Sequence, residues 1–449
     1  MTAQVMHNRH KQKRESTNTA HLILRRIFKG YEGAFTIKLW DHTVLQIGDG
    51  VSAFTLTFHA SHALRDLVLF HDPIRLAEAY FDGAVEVAGD FNAAMGLRYY
   101  LEDLKLPFQE KLLLVFRALS LGNQKSKPRK KARKPANTMR QNDIESIAFH
   151  YDVSNEFYKL WLDDHMVYSC AYFEIPEQDL EAAQRSKLDY ICRKLRLQKG
   201  ESYLDIGCGW GALACWAAKH YGVRAHGITL SRNQFEYASE EVKRQGLEGQ
   251  VTIEMRNYRD LLREATYDKV SSIGMFEHVG LKYLPEYFSI VHQVLKPGGL
   301  FLNHGITSAE PDWGHSTSTQ FINRHVFPDG ELDIVSNIQR RMEDAKFEIF
   351  DVEGLRPHYA FTLRHWVNRL DAKSEEAIRL VGERTYRIWR LYMTGSALQF
   401  EQGATGIYQI LAERKVDGMP HLPLTRRDLY VSKKQLNNKE NHHDNWSNL

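Results

Sequence analysis

The sequence predicts an α/β protein with a mostly parallel sheet covered by helices on both faces, preceded by a smaller α+β domain. The first observation behind this prediction is that strand-like and helix-like segments alternate from Asn142 onward. Parallel strands need a crossover connection, usually a helix, so this alternation indicates a parallel sheet. The second observation is the length of 449 residues, which exceeds a single ordinary core and favours two domains.

The front of the chain predicts a small domain over residues 20–121, after a disordered polar arm over residues 1–19. Residues 34–40 and 53–60 alternate apolar and polar side chains, which is typical of half-buried strands. Two segments with helical periodicity follow them. Their mixture with the strands indicates an α+β domain.

A basic linker is predicted over residues 122–141. Residues 1–140 contain 22 Lys and Arg against 13 Asp and Glu, whereas the remainder of the chain is mildly acidic. Seven of the basic residues form one cluster in the linker: Lys125, Lys127, Arg129, Lys130, Lys131, Arg133 and Lys134. The cluster is interpreted either as a solvated tether or as a patch for an anionic lipid or nucleic acid. Each Lys or Arg near an anionic membrane is worth about 1 kcal/mol.

The larger domain is predicted over residues 142–430, with a polar tail over residues 431–449. Its expected strands lie at 201–207, 223–229, 251–257, 268–274 and 299–307. The last sixty residues before Tyr430 are expected to be helical. We find no internal repeat.

Composition excludes several classes of protein. The four cysteines form no CxxC pair and no zinc-ligand spacing, so neither a disulfide framework nor a metal site is expected. The first residues are polar and basic without the apolar core of a signal peptide. No apolar run approaches the roughly 20 residues that cross a bilayer. These features predict a soluble protein of the cytoplasm.

A glycine-rich loop carries the clearest chemical signal. The sequence YLDIGCGWGALACWAA places Asp205, Gly207, Gly209 and Gly211 between a predicted strand and helix. Glycines allow close backbone approach to a ligand, and a helix start offers free N–H groups. The letters also fit a dinucleotide fingerprint, but that fold requires an acidic residue at the end of the second strand. The second strand here ends in GITLS, so the dinucleotide interpretation is disfavoured.

The pattern D-x-G-x-G-x-G resembles the first motif of class I S-adenosylmethionine methyltransferases. A closer resemblance, over residues 140–415, is to the cyclopropane-fatty-acyl-phospholipid synthase family. The front segment, with DPIRLAEAYFDG, resembles the small lipid-carrier-like domain that precedes the catalytic domain in longer members. The motifs that carry the resemblance are HYDVSNEFYKLWL, MVYSCAYFE, LDIGCGWG, GITLSRNQ, NYRD, GMFEHVG, LKPGGLF and HYAFTL.

This resemblance implies that the methyl group of S-adenosylmethionine is delivered to a cis double bond of an unsaturated phospholipid acyl chain. The product is a cyclopropane fatty acid, formed through a carbocation that bound bicarbonate deprotonates. The family residues that surround bicarbonate match Cys170, Glu277, His304 and Tyr359, with the backbone of Ile306. Cys170 is expected to act by position and hydrogen bonding and not as a covalent nucleophile. Glu277 and His304 each follow an apolar strand, where open α/β sheets place ligands.

The same resemblance assigns a set of cofactor-binding residues. They are Tyr168, Ser169, Asp205, Gly207, Gly209, Gly211, Thr229, Leu230, Gln234 and Tyr258. Aromatic rings near Cys170, namely Tyr168, Tyr172 and Phe173, are expected to present their faces to the developing positive charge.

The expected partners are an unsaturated phospholipid and the anionic surface of the inner membrane face, to which the protein binds peripherally. No nucleic acid is expected, and a homodimer is compatible with the resemblance. Two alternatives from other classes are an RNA methyltransferase that uses the basic cluster and a non-catalytic lipid carrier.

One segment departs from the family pattern. Residues 394–403 read TGSALQFEQG where the family has a sequence similar to CAGAFRAR. Gly395 replaces the cysteine and Glu401 replaces a basic residue. The product therefore stays open between a cyclopropane and a methyl-branched or methylidene chain.

Overall fold

The computed structural model describes residues 3–70, 73–121, 153–311, 317–327, 330–420 and 422–430; side chains are not described at residues 3–14, 102, 317 and 318. The chain forms two compact units. Unit 1 contains residues 1–134 and Ser374–Gly395, and unit 2 contains residues 135–373 and 396–449. The predicted linker and the predicted tail lie outside the described residues.

Unit 1 is built on a four-stranded sheet in the order β2-β1-β3-β4. Its strands are β1 (Phe35–Lys38), β2 (Val44–Ile47), β3 (Phe54–Phe58) and β4 (Val85–Gly89). β1 is parallel to β3, whereas the β1–β2 and β3–β4 pairs are antiparallel. The two predicted strands of this unit are therefore present, and β2 and β4 are additional.

Five helices of unit 1 precede residue 121: α1 (Ala3–Ile27), α2 (Ser61–Phe70), α3 (Pro73–Phe81), α4 (Phe91–Asp103) and α5 (Phe108–Leu119). The prediction of a disordered arm over residues 1–19 is wrong for the described part, because α1 begins at Ala3. Ala20, Ile23, Leu24 and Ile27 recur at helical spacing and are buried in the core of the unit. Once this buried part is helical, extension through the polar residues before it adds one hydrogen bond per residue.

Unit 2 contains a seven-stranded sheet in the order β10-β11-β9-β8-β5-β6-β7. Its strands are β5 (Ser202–Ile206), β6 (Arg224–Thr229), β7 (Val251–Met255), β8 (Tyr267–Ile273), β9 (Leu295–Ser308), β10 (Phe347–Gly354) and β11 (Thr405–Arg414). The five predicted strands are β5 to β9, and they pair in parallel. β11 lies antiparallel to both β9 and β10.

Helices cover both faces of this sheet, as predicted. The other helices among the described residues are α6 (Asn155–Tyr158), α7 (Leu180–Lys194), α8 (Ala212–Tyr221), α9 (Arg232–Arg244), α10 (Leu284–Val294), α11 (Thr317–His325), α12 (Val335–Asp344), α13 (Arg356–Ala372), α14 (Ser374–Val381), α15 (Glu383–Gln402) and α16 (Arg427–Tyr430). α10 and α12 contribute to the core on one face, and α7, α8 and α9 to the core on the other.

Two predictions for the end of the chain are corrected. The segment before Tyr430 is expected from the sequence to be all helical, but it contains β11. Helix α15 ends at Gln402, the next residue Gly403 has a φ of 79°, and β11 begins at Thr405. The segment Ser374–Gly395 belongs to unit 1, although the sequence predicts a larger domain that runs unbroken over 142–430. Within unit 1, the buried Arg387 donates to the backbone oxygens of Tyr80 and Val85 and pairs with Glu86.

No helix among the described residues is long and apolar enough to cross a membrane.

Candidate functional site

The glycine loop joins the end of β5 to the start of α8, as the sequence predicts. Gly207 and Gly209 have φ of 77° and 56°, a conformation that side chains disfavour. The N–H groups of Gly207 and Cys208 donate to the carbonyl oxygen of Ile228 at 2.9 and 3.0 Å. These bonds fasten the loop to β6, so that its glycines line the adjoining cavity.

A cavity of about 150 Å³ lies at the carboxyl ends of β5, β6 and β8. Open α/β sheets bind ligands at this edge, where the strand order reverses. Nine of the ten predicted cofactor residues line it: Tyr168, Ser169, Asp205, Gly207, Gly209, Thr229, Leu230, Gln234 and Tyr258. The structure therefore brings these nine residues together around one cavity.

Gly211 is the exception, because it does not belong to the cavity lining. It precedes α8 with φ of 85°, and a Cβ atom there would lie 3.0 Å from the Cβ of Ala238. The structure thus assigns Gly211 to the packing of α8 against α9. Its assignment to the cofactor therefore stays a prediction from the family resemblance.

Asp205 is buried at the end of β5 and accepts a hydrogen bond from the Ser271 hydroxyl at 2.7 Å. Burial raises the pKa of the Asp205 carboxyl to about 6. On the opposite wall, the Thr229 hydroxyl donates to Oε1 of Gln234 at 2.7 Å. Gln234 is buried, so it is a wall residue of the cavity and not a solvent-facing helix residue.

Lys187 is a cavity residue that the sequence analysis missed. It lies on the buried face of α7, is 2% exposed, and donates from Nζ to the Ser169 hydroxyl at 2.9 Å. Burial lowers the pKa of Lys187 to about 8. The available signal was its spacing, because Ala183, Lys187 and Ile191 recur every fourth residue on one helix face.

The loop after β8 brings Glu277 to β9. Glu277 lies in the short 3-10 helix Phe276–His278, and its Oε1 accepts a hydrogen bond from the Ile306 N–H at 2.7 Å. Its Oε2 is buried without a hydrogen-bond partner in the described part of the chain. Burial raises the pKa of Glu277 to about 7. The Ile306 N–H thus holds the carboxyl group of Glu277, whereas the family resemblance placed the backbone of Ile306 beside the bicarbonate ion.

His304 lies inside β9, as the predicted strand 299–307 has it, and does not follow the end of a strand. Its side chain points to the same sheet face as that of Ile306, two residues further on. The ring is fully buried, and neither ring nitrogen has a hydrogen-bond partner among the residues that are described. Burial lowers the pKa of His304 well below its usual value, which keeps the ring neutral at neutral pH.

Cys170 and Tyr359 both lie next to the turn that begins α13. The Cys170 thiol is 3.9 Å from the carbonyl oxygen of Leu355, and the Tyr359 N–H donates to that same oxygen at 3.2 Å. Burial raises the pKa of the Cys170 thiol, so the thiolate needed for nucleophilic attack is disfavoured. This agrees with the expected non-covalent role.

The three aromatic residues predicted around Cys170 do not form one wall. Tyr168 lines the cavity, and its ring centroid lies 5.2 Å from that of Trp366 and 5.4 Å from that of Trp161. Tyr172 instead stacks on His358 at 4.9 Å, and Phe173 contacts Phe361 at 5.6 Å. Trp366 also contacts Tyr359 at 6.0 Å. An aromatic series that the sequence analysis missed therefore runs from the cavity to Tyr359.

The charge reversal at Glu401 is compensated locally. Its carboxylate accepts two hydrogen bonds from the Arg364 guanidinium, at 2.8 and 2.7 Å. Bidentate pairs of this kind are among the stronger surface ion pairs. The departure from the family pattern thus adds no unbalanced negative charge at this position.

We predict that Gly209→Ala weakens S-adenosylmethionine binding, whereas Gly246→Ala does not. Both glycines have positive φ, of 56° and 67°, and an added Cβ meets no protein atom within 4 Å at either position. In both variants the alanine must adopt this left-handed conformation, so the free energy of unfolding should fall by a similar amount, about 1–2 kcal/mol. Only the Gly209 methyl group enters the cavity, so calorimetry should show a roughly tenfold or greater loss of affinity, about 1.4 kcal/mol. Equal affinities in the two variants would contradict the assignment.

We predict that Lys187→Met lowers S-adenosylmethionine affinity about tenfold, about 1.4 kcal/mol, without lowering the melting temperature at pH 7. The drop in pKa from 10.5 to about 8 corresponds to a burial cost of about 3 kcal/mol for the ammonium group, which methionine removes. The matched control is Lys194→Met, on the same helix face, where Nζ lies 3.0 Å from Asp351 and 2.5 Å from Glu353. Losing that buried pair should cost about 3–5 kcal/mol and leave the affinity unchanged. The reverse pattern would exclude Lys187 from the cofactor site.

We predict that Glu277→Gln has a higher free energy of unfolding than the parent protein, and that this difference grows as the pH rises from 5 to 8. The folded carboxyl has a pKa of about 7 against 4.5 when unfolded, so the folded state binds more protons between these values. Its ionisation at high pH therefore costs up to about 3 kcal/mol of folding free energy, which Gln avoids. Denaturant titrations at several pH values measure the difference. The exposed Glu264→Gln variant is the control, and a pH-independent difference for Glu277→Gln would refute the interpretation.

Comparisons with known proteins agree with this geometry. A family model described as mycolic acid cyclopropane synthetase matches residues 138–410, and a model for a domain of unknown function matches residues 22–106. A probable fatty acid methyltransferase of Pseudomonas putida is 40% identical over 399 residues, covering 88% of this chain and 95% of that protein. The cyclopropane-fatty-acyl-phospholipid synthase of Escherichia coli K12 is 38% identical over 268 residues, which is 60% of this chain and 67% of that one.

Solved structures show the same relationship. The mycolic acid cyclopropane synthase CmaA1, complexed with SAH and CTAB, is 33% identical with a TM-score of 0.57, covering 60% of this chain and 98% of that chain. The cyclopropane synthase MmaA2 from Mycobacterium tuberculosis gives 32% identity, the same TM-score of 0.57 and the same coverage. The cavity, the fold and these matches together show that the chain belongs to the mycolic acid cyclopropane synthetase family and is an S-adenosylmethionine-dependent methyltransferase.

Proposed function

We propose that this enzyme transfers the methyl(ene) group of S-adenosylmethionine to a cis double bond of an unsaturated phospholipid acyl chain, forming a cyclopropane ring. The observation that carries the proposal is the pair of buried, unsatisfied polar groups on Glu277 and His304, with the loop of Glu277 also lining the cofactor cavity. Buried polar groups without partners are rare unless a ligand or water meets them.

Bicarbonate fits the donor set that these residues provide. The Glu277 carboxyl has a pKa of about 7, so its protonated form is available to donate from Oε2 to an anion. A neutral His304 offers one N–H donor, and the Cys170 thiol and the Tyr359 hydroxyl are two further donors assigned by family resemblance. When bound, bicarbonate would supply the base that takes the proton from the transferred carbon.

Lys187 adds a positive charge that the sequence analysis did not include. Its ammonium group is buried, and beside the larger effect of burial its charge lowers the pKa values of both Asp205 and His304. A buried anion is tolerated when a cation and hydrogen-bond donors lie near it. We therefore propose that Lys187 favours the binding of an anion in this region and fixes Ser169 at the cavity wall.

The remaining requirement is a dry, cation-tolerant wall beside the alkene. The aromatic series of Tyr168, Trp366 and Tyr359 supplies ring faces, each typically worth about 0.5–2 kcal/mol against a desolvated cation. Excluding water matters because water would trap a carbocation before ring closure.

A second candidate is a fatty-acyl C-methyltransferase that yields methyl-branched or methylidene chains. The observation that favours it is that the Pseudomonas putida relative matches over 95% of its own length, whereas the Escherichia coli synthase matches over 67%. Both candidates share the cofactor, the alkene substrate and the proposed Glu277–His304 site. They differ in the fate of the carbocation after methyl transfer.

We further propose that the enzyme acts at the surface of an anionic membrane, on its cytoplasmic side. An acyl chain of a phospholipid is presented by a bilayer, and the sequence holds seven basic residues between Lys125 and Lys134. Such a cluster is attracted to anionic lipid over a Debye length of about 8 Å at physiological salt.

We predict that the purified enzyme, with S-adenosylmethionine and vesicles of unsaturated phospholipid, forms acyl chains that are heavier by one CH₂ group. Gas chromatography with mass spectrometry identifies the product, and its retention time separates a cyclopropane from an isomeric methylidene chain. His304→Ala should lower turnover by about 10²–10⁴-fold and abolish stimulation by added bicarbonate. S-adenosylmethionine affinity should not change.

His292→Ala, on the helix α10 that covers the opposite sheet face, is the matched control and should retain turnover. Normal turnover of folded His304→Ala would refute the proposed base site. A methylidene product, which has the same mass as the cyclopropane and a different retention time, would favour the second candidate, because the same carbocation then loses its proton without closing a ring.

A further inference from the structure

Helix α5 of unit 1 presents a row of large apolar side chains to solvent. We name this row the α5 surface. Its members and their exposed fractions are Phe108 79%, Leu112 46%, Leu113 48%, Phe116 64% and Leu119 60%. Single exposed apolar residues are common, but a contiguous group of this size usually marks an interaction site.

The α5 surface lies on one side of the helix. Its positions repeat at spacings of four, one, three and three residues, which projects them within roughly 140° of each other on a helix of 3.6 residues per turn. The other side packs into the core of unit 1 through Leu114 and Ala118. α5 is therefore apolar on two sides, although only one of them is needed for folding.

The charged residues of α5 lie outside this surface. Glu110 pairs with Arg26 of α1, and Lys111 is exposed beside the apolar row. Lys105, also exposed, precedes the helix. The apolar row is thus uninterrupted by charge, and the exposed charges near its start in the sequence are two lysines and one aspartate, Asp103.

The charge of the sequence downstream of α5 indicates the partner. The seven basic residues between Lys125 and Lys134 begin six residues after α5 ends. A second copy of the chain would bring two such clusters close together, which is unfavourable. An anionic phospholipid surface would attract the cluster and accept the apolar side chains at the same time.

We infer that the α5 surface inserts into the interfacial region of an anionic phospholipid bilayer and docks the enzyme there. The helix has 12 residues and is about 18 Å long, so it lies parallel to the membrane and does not span it. This inference rests on the proposed function, and it names the surface by which the enzyme reaches its lipid substrate. α5 contributes no residue to the cofactor cavity.

The experiment compares two triple variants of the full chain. Phe108→Ser, Leu112→Ser and Phe116→Ser remove three members of the α5 surface. The control carries Val51→Ser, Met419→Ser and Leu424→Ser, which are 95%, 79% and 95% exposed and lie outside α5. Co-sedimentation uses vesicles of phosphatidylcholine alone or of phosphatidylcholine with phosphatidylglycerol.

The α5 variant should bind the anionic vesicles at least tenfold more weakly than the parent, and the control should bind as the parent does. S-adenosylmethionine affinity and turnover of detergent-dispersed phospholipid should be unchanged in both variants. If the parent forms no product even from dispersed lipid, the proposed function fails, whereas the vesicle-binding result still decides the docking surface.

A fluorescent label reports insertion directly. The four native cysteines are buried, so Leu112→Cys provides a selectively reactive thiol for an environment-sensitive dye. Its emission should shift to the blue on adding anionic vesicles, and a dye at Leu424→Cys should not shift.

Two results would overturn the inference. Unchanged vesicle binding with a loss of dimer in sedimentation would assign the α5 surface to a second copy of the chain. Unchanged vesicle binding with a lower melting temperature would assign it to contact with another part of the same chain.

Discussion

Helix α7 buries two of its own lysine side chains against the sheet, and this is the constraint on which unit 2 depends. Lys187 and Lys194 lie two turns apart on α7, and both face the sheet. A buried ammonium group requires acceptors or anions close to it. Lys194 meets Asp351 and Glu353 of the edge strand β10, and Lys187 meets Ser169 at the cofactor cavity. The same helix therefore fastens the antiparallel edge of the sheet and shapes the catalytic edge.

Polar side chains continue between these two ends, across the strands beneath α7. His304 of β9 pairs in register with Gln409 of β11, which pairs with Glu353 of β10. Directly opposed residues of antiparallel strands point to the same face, so these three side chains form one row. The amide group of the fully buried Gln409 has no hydrogen-bond partner in the described ranges, and neither has the ring of His304. Buried polar groups without partners destabilise the fold, so this row lowers the stability of unit 2 beside the position where we propose that an anion binds.

The sequence predicted what local patterns determine. The parallel strands β5 to β9 and the turn at Gly207 and Gly209 are encoded within short windows, and the structure contains them. The misses depend on distant residues. A lysine in an amphipathic helix ordinarily faces water, and only Ser169 and the cavity reveal that Lys187 does not.

The packing of Gly211 is likewise not visible in the local sequence, because Gly211 has the same spacing as the cavity glycines and its packing partner Ala238 lies 27 positions further along the chain. The expectation that His304 follows an apolar strand is wrong, because β9 continues past His304 and pairs with β11 as far as Ser308. β11 lies about a hundred residues further along the chain, within a segment whose local pattern predicts helix.

The return of Ser374–Gly395 to unit 1 has a consequence for how the protein is synthesised. The first 121 residues leave the ribosome long before the segment that completes their packing, because Arg387 and its neighbours come near the end of the chain. The sheet of unit 2 is also completed late, because β11 lies between β9 and β10 and begins only at Thr405. Neither unit can close before these segments have been synthesised, and the two segments follow each other closely in the sequence. Long-range contacts of this kind slow folding and prolong the exposure of apolar surface. A nascent chain with this topology should therefore depend on chaperones more than its two modest sheets suggest.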